Sequence, residues 1–288
     1  MYAELYAVAT AFLRGFSAIP IKKGLKNSNP ITNVFIYLVI NTFLLWSITF
    51  AYYPLKQLFF KGFEYFVLAG FFAPGISQIF RDAGFKRLGV VITYPIVSIN
   101  TLFSMIIAII FLNEKITIYI VLGSILTFLG VFTLTWQRDS KFRLPKKDLY
   151  LPILSALFFA CSVNLREIGL SKIKYPIIGA AITSTVSFMI LLIHILIMKV
   201  RKKYWILQLH KDAVKFFIFS GIISCIAFLL YFIALSKSNV VVVQPIASTR
   251  PLFAALFSYF LLKEEEKITR KIILGSLLIV SGIIFLFR

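Results

Sequence analysis

Residues 94–134 read YPIVSINTLFSMIIAIIFLNEKITIYIVLGSILTFLGVFTL, and residues 244–286 read QPIASTRPLFAALFSYFLLKEEEKITRKIILGSLLIVSGIIFL. The second stretch repeats the first. Pro95, Ser98, Leu102, Phe103 and Glu114 match Pro245, Ser248, Leu252, Phe253 and Glu264. After a two-residue insertion, Leu122-Gly123-Ser124 matches Leu274-Gly275-Ser276, and Gly130 matches Gly282. The match reaches back weakly to the start of each half, where Ser17, Gly24 and Leu25 align with Ser162, Gly169 and Leu170. Fixed-period self-similarity is the mark of a repeat architecture.

Outward from the repeat, the chain is apolar nearly throughout. Of its 288 residues 60% are hydrophobic and 15% charged, against about 25% charged in a typical soluble domain. Crossing a bilayer takes about 20 apolar residues per helix. Ten stretches fit that length: 5–21, 31–53, 64–80, 88–112, 116–136, 149–170, 176–198, 214–236, 239–262 and 268–287. They are too long and too uniformly apolar for the alternating strands of a membrane barrel. Helices satisfy their own backbone in lipid, so the expected fold is an all-α membrane protein of ten transmembrane helices. Five helices fall in each half. Five is odd, so the second half enters the membrane from the opposite side, and the halves are inverted repeats. The expected division is residues 1–138, a basic linker 139–148, and residues 149–288. The first stretch lacks a basic leader and a convincing cleavage site, and it reads as a retained helix.

The net charge is +20, from 31 Lys and Arg against 11 Asp and Glu. Most of the basic residues lie at span ends, where they anchor helices and set orientation; nucleic-acid binding is not expected. The basic bias of the odd-numbered loops places those loops in the cytoplasm and both termini outside. Cys161 and Cys225 fall inside spans and read as small apolar filler. No metalloprotease, serine-hydrolase or nucleotide-binding motif occurs, so neither an enzyme nor a self-contained ATP-driven pump is expected. No cofactor or metal is expected.

The segment from Pro251 through Glu264, followed by Leu274-Gly275-Ser276 and Gly282, resembles the EamA repeat of the drug/metabolite transporter superfamily. Glu114, Gly123 and Gly130 carry the same pattern in the first half. The resemblance spans essentially the whole chain. It departs at Thr101 in place of the first-half proline, at Asn113 and Lys263 before the glutamates, and at Arg14 in the first helix. The resemblance implies two EamA repeats and a secondary active or facilitative transporter. It would export a small anionic or zwitterionic metabolite, such as an amino acid, by alternating access. A multi-pass location in a prokaryotic plasma or inner membrane follows, with the lipid bilayer and a small-molecule substrate as partners and a monomer or homodimer as the assembly. The competing reading is translocation of a lipid-linked phosphate, or a membrane scaffold.

A charged residue within a span is costly and usually faces the bundle interior. Arg14, Arg81, Arg166 and Arg250 are such residues. Guanidinium binds carboxylate or phosphate with two parallel hydrogen bonds. Arg250 lies beside Pro251 and close to Pro245, and prolines free backbone carbonyls inside helices. Arg14, Arg166 and Arg250 are therefore the charged candidates for substrate binding. Tyr94, Asn100, Asn164, Gln244 and Ser248 are the neutral ones. Tyr94 aligns with Gln244, and Asn100 with Arg250, so these pairs are expected near the pseudo-twofold axis. Arg81 with Asp82 reads as a local charge cluster. His194 reads as structural, and Glu114 and Glu264 as helix caps. Glycines 123, 130, 275 and 282 read as packing sites that leave helices 5 and 10 peripheral, supporting each half or a dimer contact.

Overall fold

The computed structural model describes residues 2–54, 61–112, 117–135, 146–173, 175–200, 206–261 and 270–286. Glu114, Glu264 and most of the expected linker lie outside these residues. Among the described residues all regular structure is helical. The helices are α1 (Tyr2–Leu25), α2 (Pro30–Tyr52), α3 (Phe63–Phe72), α4 (Gly75–Arg87), α5 (Val90–Ser98), α6 (Asn100–Leu112) and α7 (Ile118–Thr135). The second half holds α8 (Tyr150–Lys172), α9 (Pro176–Val200), α10 (Lys211–Lys237), α11 (Val240–Ala247), α12 (Arg250–Leu261) and α13 (Arg270–Leu286).

Six segments are long and apolar enough to cross a membrane: Pro30–Tyr52, Phe63–Arg87, Tyr150–Lys172, Pro176–Val200, Lys211–Lys237 and Val240–Ser258. Three expected spans are each two helices joined by a kink. Residues 64–80 break at Ala73 and Pro74, 88–112 at Ile99, and 239–262 at Ser248 and Thr249. Pro74 and Pro251 have no amide hydrogen to continue the ladder, which accounts for two of the breaks. Other ends follow ordinary capping. Asn29 accepts from the Thr32 amide at 2.9 Å, with Pro30 in the first helical turn of α2.

The two halves pack by matched pairings. α1 packs on α10, and its repeat equivalent α8 packs on α3 and α4. α2 meets α10 as α9 meets α3, and α2 and α9 meet each other. Glycines at equivalent positions make these contacts close. Gly24 lies against the ring of Phe217, and its counterpart Gly169 lies against Phe66. Gly70 abuts Thr183 and Val186 on α9, and Gly221 abuts Ile40 on α2.

α7 and α13 depart from the expectation that each supports its own half. They pack on each other across the repeat. A Cβ on Gly130 would meet the Gly275 carbonyl and the Ile279 amide at 2.7 Å. A Cβ on Gly282 would meet the Gly123 carbonyl and the Thr127 amide at 2.7 Å. Each neighbour is backbone and cannot swing aside, so glycine is required at both positions. Gly130→Leu and Gly282→Leu are therefore each expected to destabilise the bundle by about 1–3 kcal/mol, the usual cost of overpacking. Thermal unfolding in detergent checks this: both variants should melt below the parent, by similar amounts. An unchanged melting temperature would contradict the seam.

Candidate functional site

The breaks in the fourth and ninth expected spans lie against each other. Ser98 Oγ, at the end of α5, donates to the Ser248 carbonyl at 3.2 Å. Thr101 Oγ1 donates to Ser248 Oγ at 2.7 Å. From this junction a polar network runs through the bundle. Gln244 Nε2 donates to Asn100 Oδ1 at 2.9 Å and to Ser248 Oγ at 3.2 Å. Ser248 Oγ donates to Asn100 Oδ1 at 3.2 Å. Tyr231, on α10, donates its hydroxyl to Gln244 Oε1. All five residues of the network (Asn100, Thr101, Tyr231, Gln244 and Ser248) are buried. Among the described residues, the Asn100 side-chain nitrogen has no hydrogen-bond partner.

Three guanidinium groups, those of Arg14, Arg166 and Arg250, lie within electrostatic reach of Tyr231 in this network. Arg250 opens α12, and Arg166 lies late in α8; they are 4% and 0% exposed. The Arg250 guanidinium carbon sits 5.4 Å from the Tyr94 ring centroid and 5.8 Å from that of Phe159. Its Nε and Nη2 atoms, which form one edge of the group, are buried without hydrogen-bond partners. Arg166 is enclosed by the rings of Phe159, Phe228 and Phe232 at 5.8, 5.1 and 5.2 Å. Its Nη2 donates to the Ala73 carbonyl at 2.8 Å, while Nε and Nη1 have no partner. Ser162 Oγ also donates to the Ala73 carbonyl, at 3.2 Å, and to that of Ala69, at 2.8 Å. The Ala73 carbonyl at the α3–α4 break is thus satisfied from α8, and the Gly70 carbonyl, which Pro74 leaves free, from Ser187 of α9 at 2.6 Å.

Arg14, buried in α1, lies within electrostatic reach of Arg81, Tyr37, Tyr94 and Tyr231. Its backbone carbonyl accepts the Tyr94 hydroxyl at 2.9 Å. Arg81 is satisfied internally. Its Nε and Nη2 chelate Asp82 Oδ1 at 2.9 and 2.7 Å, and Asn33 donates to Asp82 Oδ2 at 2.6 Å. Arg81 and Arg250 therefore present the same guanidinium edge in two states, one filled by a carboxylate of the chain and one unfilled.

Of the residues singled out from sequence, Tyr94, Asn100, Gln244, Ser248 and Arg250 are brought together, with Arg14 alongside. Arg166 joins them through Phe159, which both arginines flank. Asn164 is buried but donates to the Ala160 carbonyl of its own helix at 2.9 Å, and its Oδ1 has no partner. The alignment pairs Asn100 with Arg250, yet the hydrogen bond across the repeat joins Asn100 to Gln244. Asn41 knits α2 to α9 through Ser184 at 2.9 Å. His194 lies on an exposed face of α9 and lines a cleft of about 260 Å³ with Gly70, Phe71 and Phe80. Cys161 and Cys225 are free thiols. Tyr231, Tyr37 and Phe159 were not visible from sequence, since each is one aromatic among many in an apolar span.

The EamA-like transporter family model matches residues 1–136 and again 146–288. The chain belongs to the EamA-like transporter family, within the drug/metabolite transporter superfamily, and with its six apolar segments it is a multi-pass membrane protein. Twenty-nine chains of solved structures match the fold. One, described as a crystal structure of a protein, aligns with a TM-score of 0.72 over 98% of this chain and 95% of its own, at 13% identity. At that identity the likeness shows the fold alone. No curated protein matches the chain.

Removing one partner of a buried ion pair leaves an uncompensated charge and costs about 3–5 kcal/mol. Asp82→Leu and Arg81→Met should therefore each destabilise the protein, Asp82→Leu by about that amount. Arg81→Met combined with Asp82→Leu should recover most of the loss, because neither charge is then stranded. Thermal unfolding of the two single variants and the double variant in detergent measures this coupling. Additive losses would show that the pair is not coupled.

Proposed function

We propose that the chain is a secondary active or facilitative transporter that exports a small anionic or zwitterionic metabolite, such as an amino acid, by alternating access. In this reading ten spans form two inverted five-helix repeats, 1–138 and 149–288, joined by the basic linker 139–148 in a prokaryotic plasma or inner membrane. Arg14, Arg166 and Arg250 supply positive charge to the substrate. Tyr94, Asn100, Asn164, Gln244 and Ser248 orient it.

The observation that carries the reading is the unfilled edge of Arg250, buried beside Tyr94 and Phe159. A buried donor left unpaired costs about 1–3 kcal/mol, and a charged one costs more. A carboxylate or phosphate on the substrate removes that cost with two charge-assisted hydrogen bonds. The neighbouring Asn100 amide nitrogen offers a third donor. The paired breaks at Ser98 and Ser248 support the placement. Transporter sites form at discontinuous helices near the repeat interface, where the two halves rock against each other.

Uptake of labelled amino acids and organic acids into proteoliposomes, measured by counterflow, tests the reading. The parent should show saturable flux of at least one anionic or zwitterionic compound. Arg250→Ala should cut that flux roughly tenfold or more, since a charge-assisted pair contributes about 1.5–3 kcal/mol. Arg250→Lys should recover part of it, because an ammonium keeps the charge but not the two-pronged edge. Flux unaffected by Arg250→Ala would overturn the assignment. Phospholipid scrambling without soluble substrate would favour the lipid-headgroup reading instead.

A further inference from the structure

Arg166 is the most enclosed of the four arginines, and the reading above leaves its second half unexplained. One nitrogen holds the Ala73 carbonyl. Two others, Nε and Nη1, are buried with no partner. A group that served solely to clamp the α3–α4 break would not need a charge, and Ser162 already reaches the same carbonyl. The guanidinium carbons of Arg166 and Arg250 each lie 5.8 Å from the Phe159 centroid, so they are no farther apart than twice that distance. Tyr231 lies within electrostatic reach of both of them and of Arg14. The bundle thus holds two cationic groups with unfilled donors beside one ring.

We infer that the transported substrate carries two anionic groups, a dicarboxylate or a phosphorylated carboxylate, with one group on Arg250 and the other on Arg166. This rests on the proposed transport function and narrows its substrate class away from zwitterions. An ammonium group beside these arginines would need a carboxylate to offset their repulsion, and the unpartnered Asn164 Oδ1 is a neutral acceptor. Asp82 is committed to Arg81 and Asn33, and Glu167 accepts the Val240 amide at 3.1 Å. The nearby aromatic faces of Tyr94, Phe159, Phe228 and Phe232 already carry guanidinium groups. The two arginines lie close enough together for one small dianion to reach both.

The test is ligand-induced thermal stabilisation of the full chain in detergent, with dissociation constants read from concentration series. The probes are malonate, succinate, glutarate, adipate, phosphoglycolate, butyrate, alanine and serine. The parent should bind at least one dianion roughly 30-fold or more tighter than butyrate, with an optimum within the dicarboxylate series. Arg166→Met should reduce the affinity for that dianion to the parent's affinity for butyrate. Arg250→Ala should weaken both. If Arg166→Met does not fold, the length series in the parent still decides: dicarboxylates no better than butyrate, at any length, overturn the inference. Arg250-dependent binding of alanine or serine without dianion binding also overturns it, while leaving the transporter reading intact. No binding by any probe would count against both.

Discussion

Positive charge held in an apolar bundle is the constraint from which the rest of this structure follows. Arg14, Arg81, Arg166 and Arg250 are all buried. Isolated charge is expensive to take out of water, so buried charges need partners. Asp82 meets that need for Arg81. For Arg166 and Arg250 the chain provides ring faces and, for Arg166, one carbonyl, which attract the cation but leave N–H groups unpaired. Both arginines lie at kinks, Arg250 at the start of α12 and Arg166 on the Ala73 carbonyl between α3 and α4.

The scaffold holds that imbalance with uncharged contacts. α7 and α13 close on each other through glycines at equivalent positions, and α1 with α10 repeats the packing of α8 with α3. These contacts tie the halves along their length. The polar junction at Ser98, Thr101 and Ser248 ties them where the helices break. Ser248 serves there as donor and acceptor at once, so a change at either break is felt at the other.

Much of this was legible in the sequence. The repeat, the packing glycines and the intramembrane arginines were read from residue types and spacing, whereas the meeting of those glycines across the repeat was not. Pro251 and the turn before it marked a discontinuity that the structure contains. Other features were hidden for physical reasons. The break at Pro74 is sustained by tertiary partners that local sequence does not report: Ser187 on α9 donates to the Gly70 carbonyl that Pro74 leaves free, and Ser162 and Arg166 on α8 donate to the Ala73 carbonyl. Asn100 bonds Gln244 although the alignment pairs it with Arg250, because equivalence under a twofold axis does not specify contact across it. Phe159 and Tyr231 are two aromatics among 47 in the chain, and burial beside a guanidinium is what distinguishes them.

The central claim is that the buried edge of Arg250 is an anion site. Anomalous diffraction from crystals grown in selenate addresses it directly, because selenium scattering locates the anion without assumption. The account predicts a peak within hydrogen-bonding distance of Arg250 Nε and Nη2, lost in Arg250→Ala crystals. A well-ordered Arg250 with no peak, or with that edge filled by a protein carboxylate or carbonyl, would contradict it.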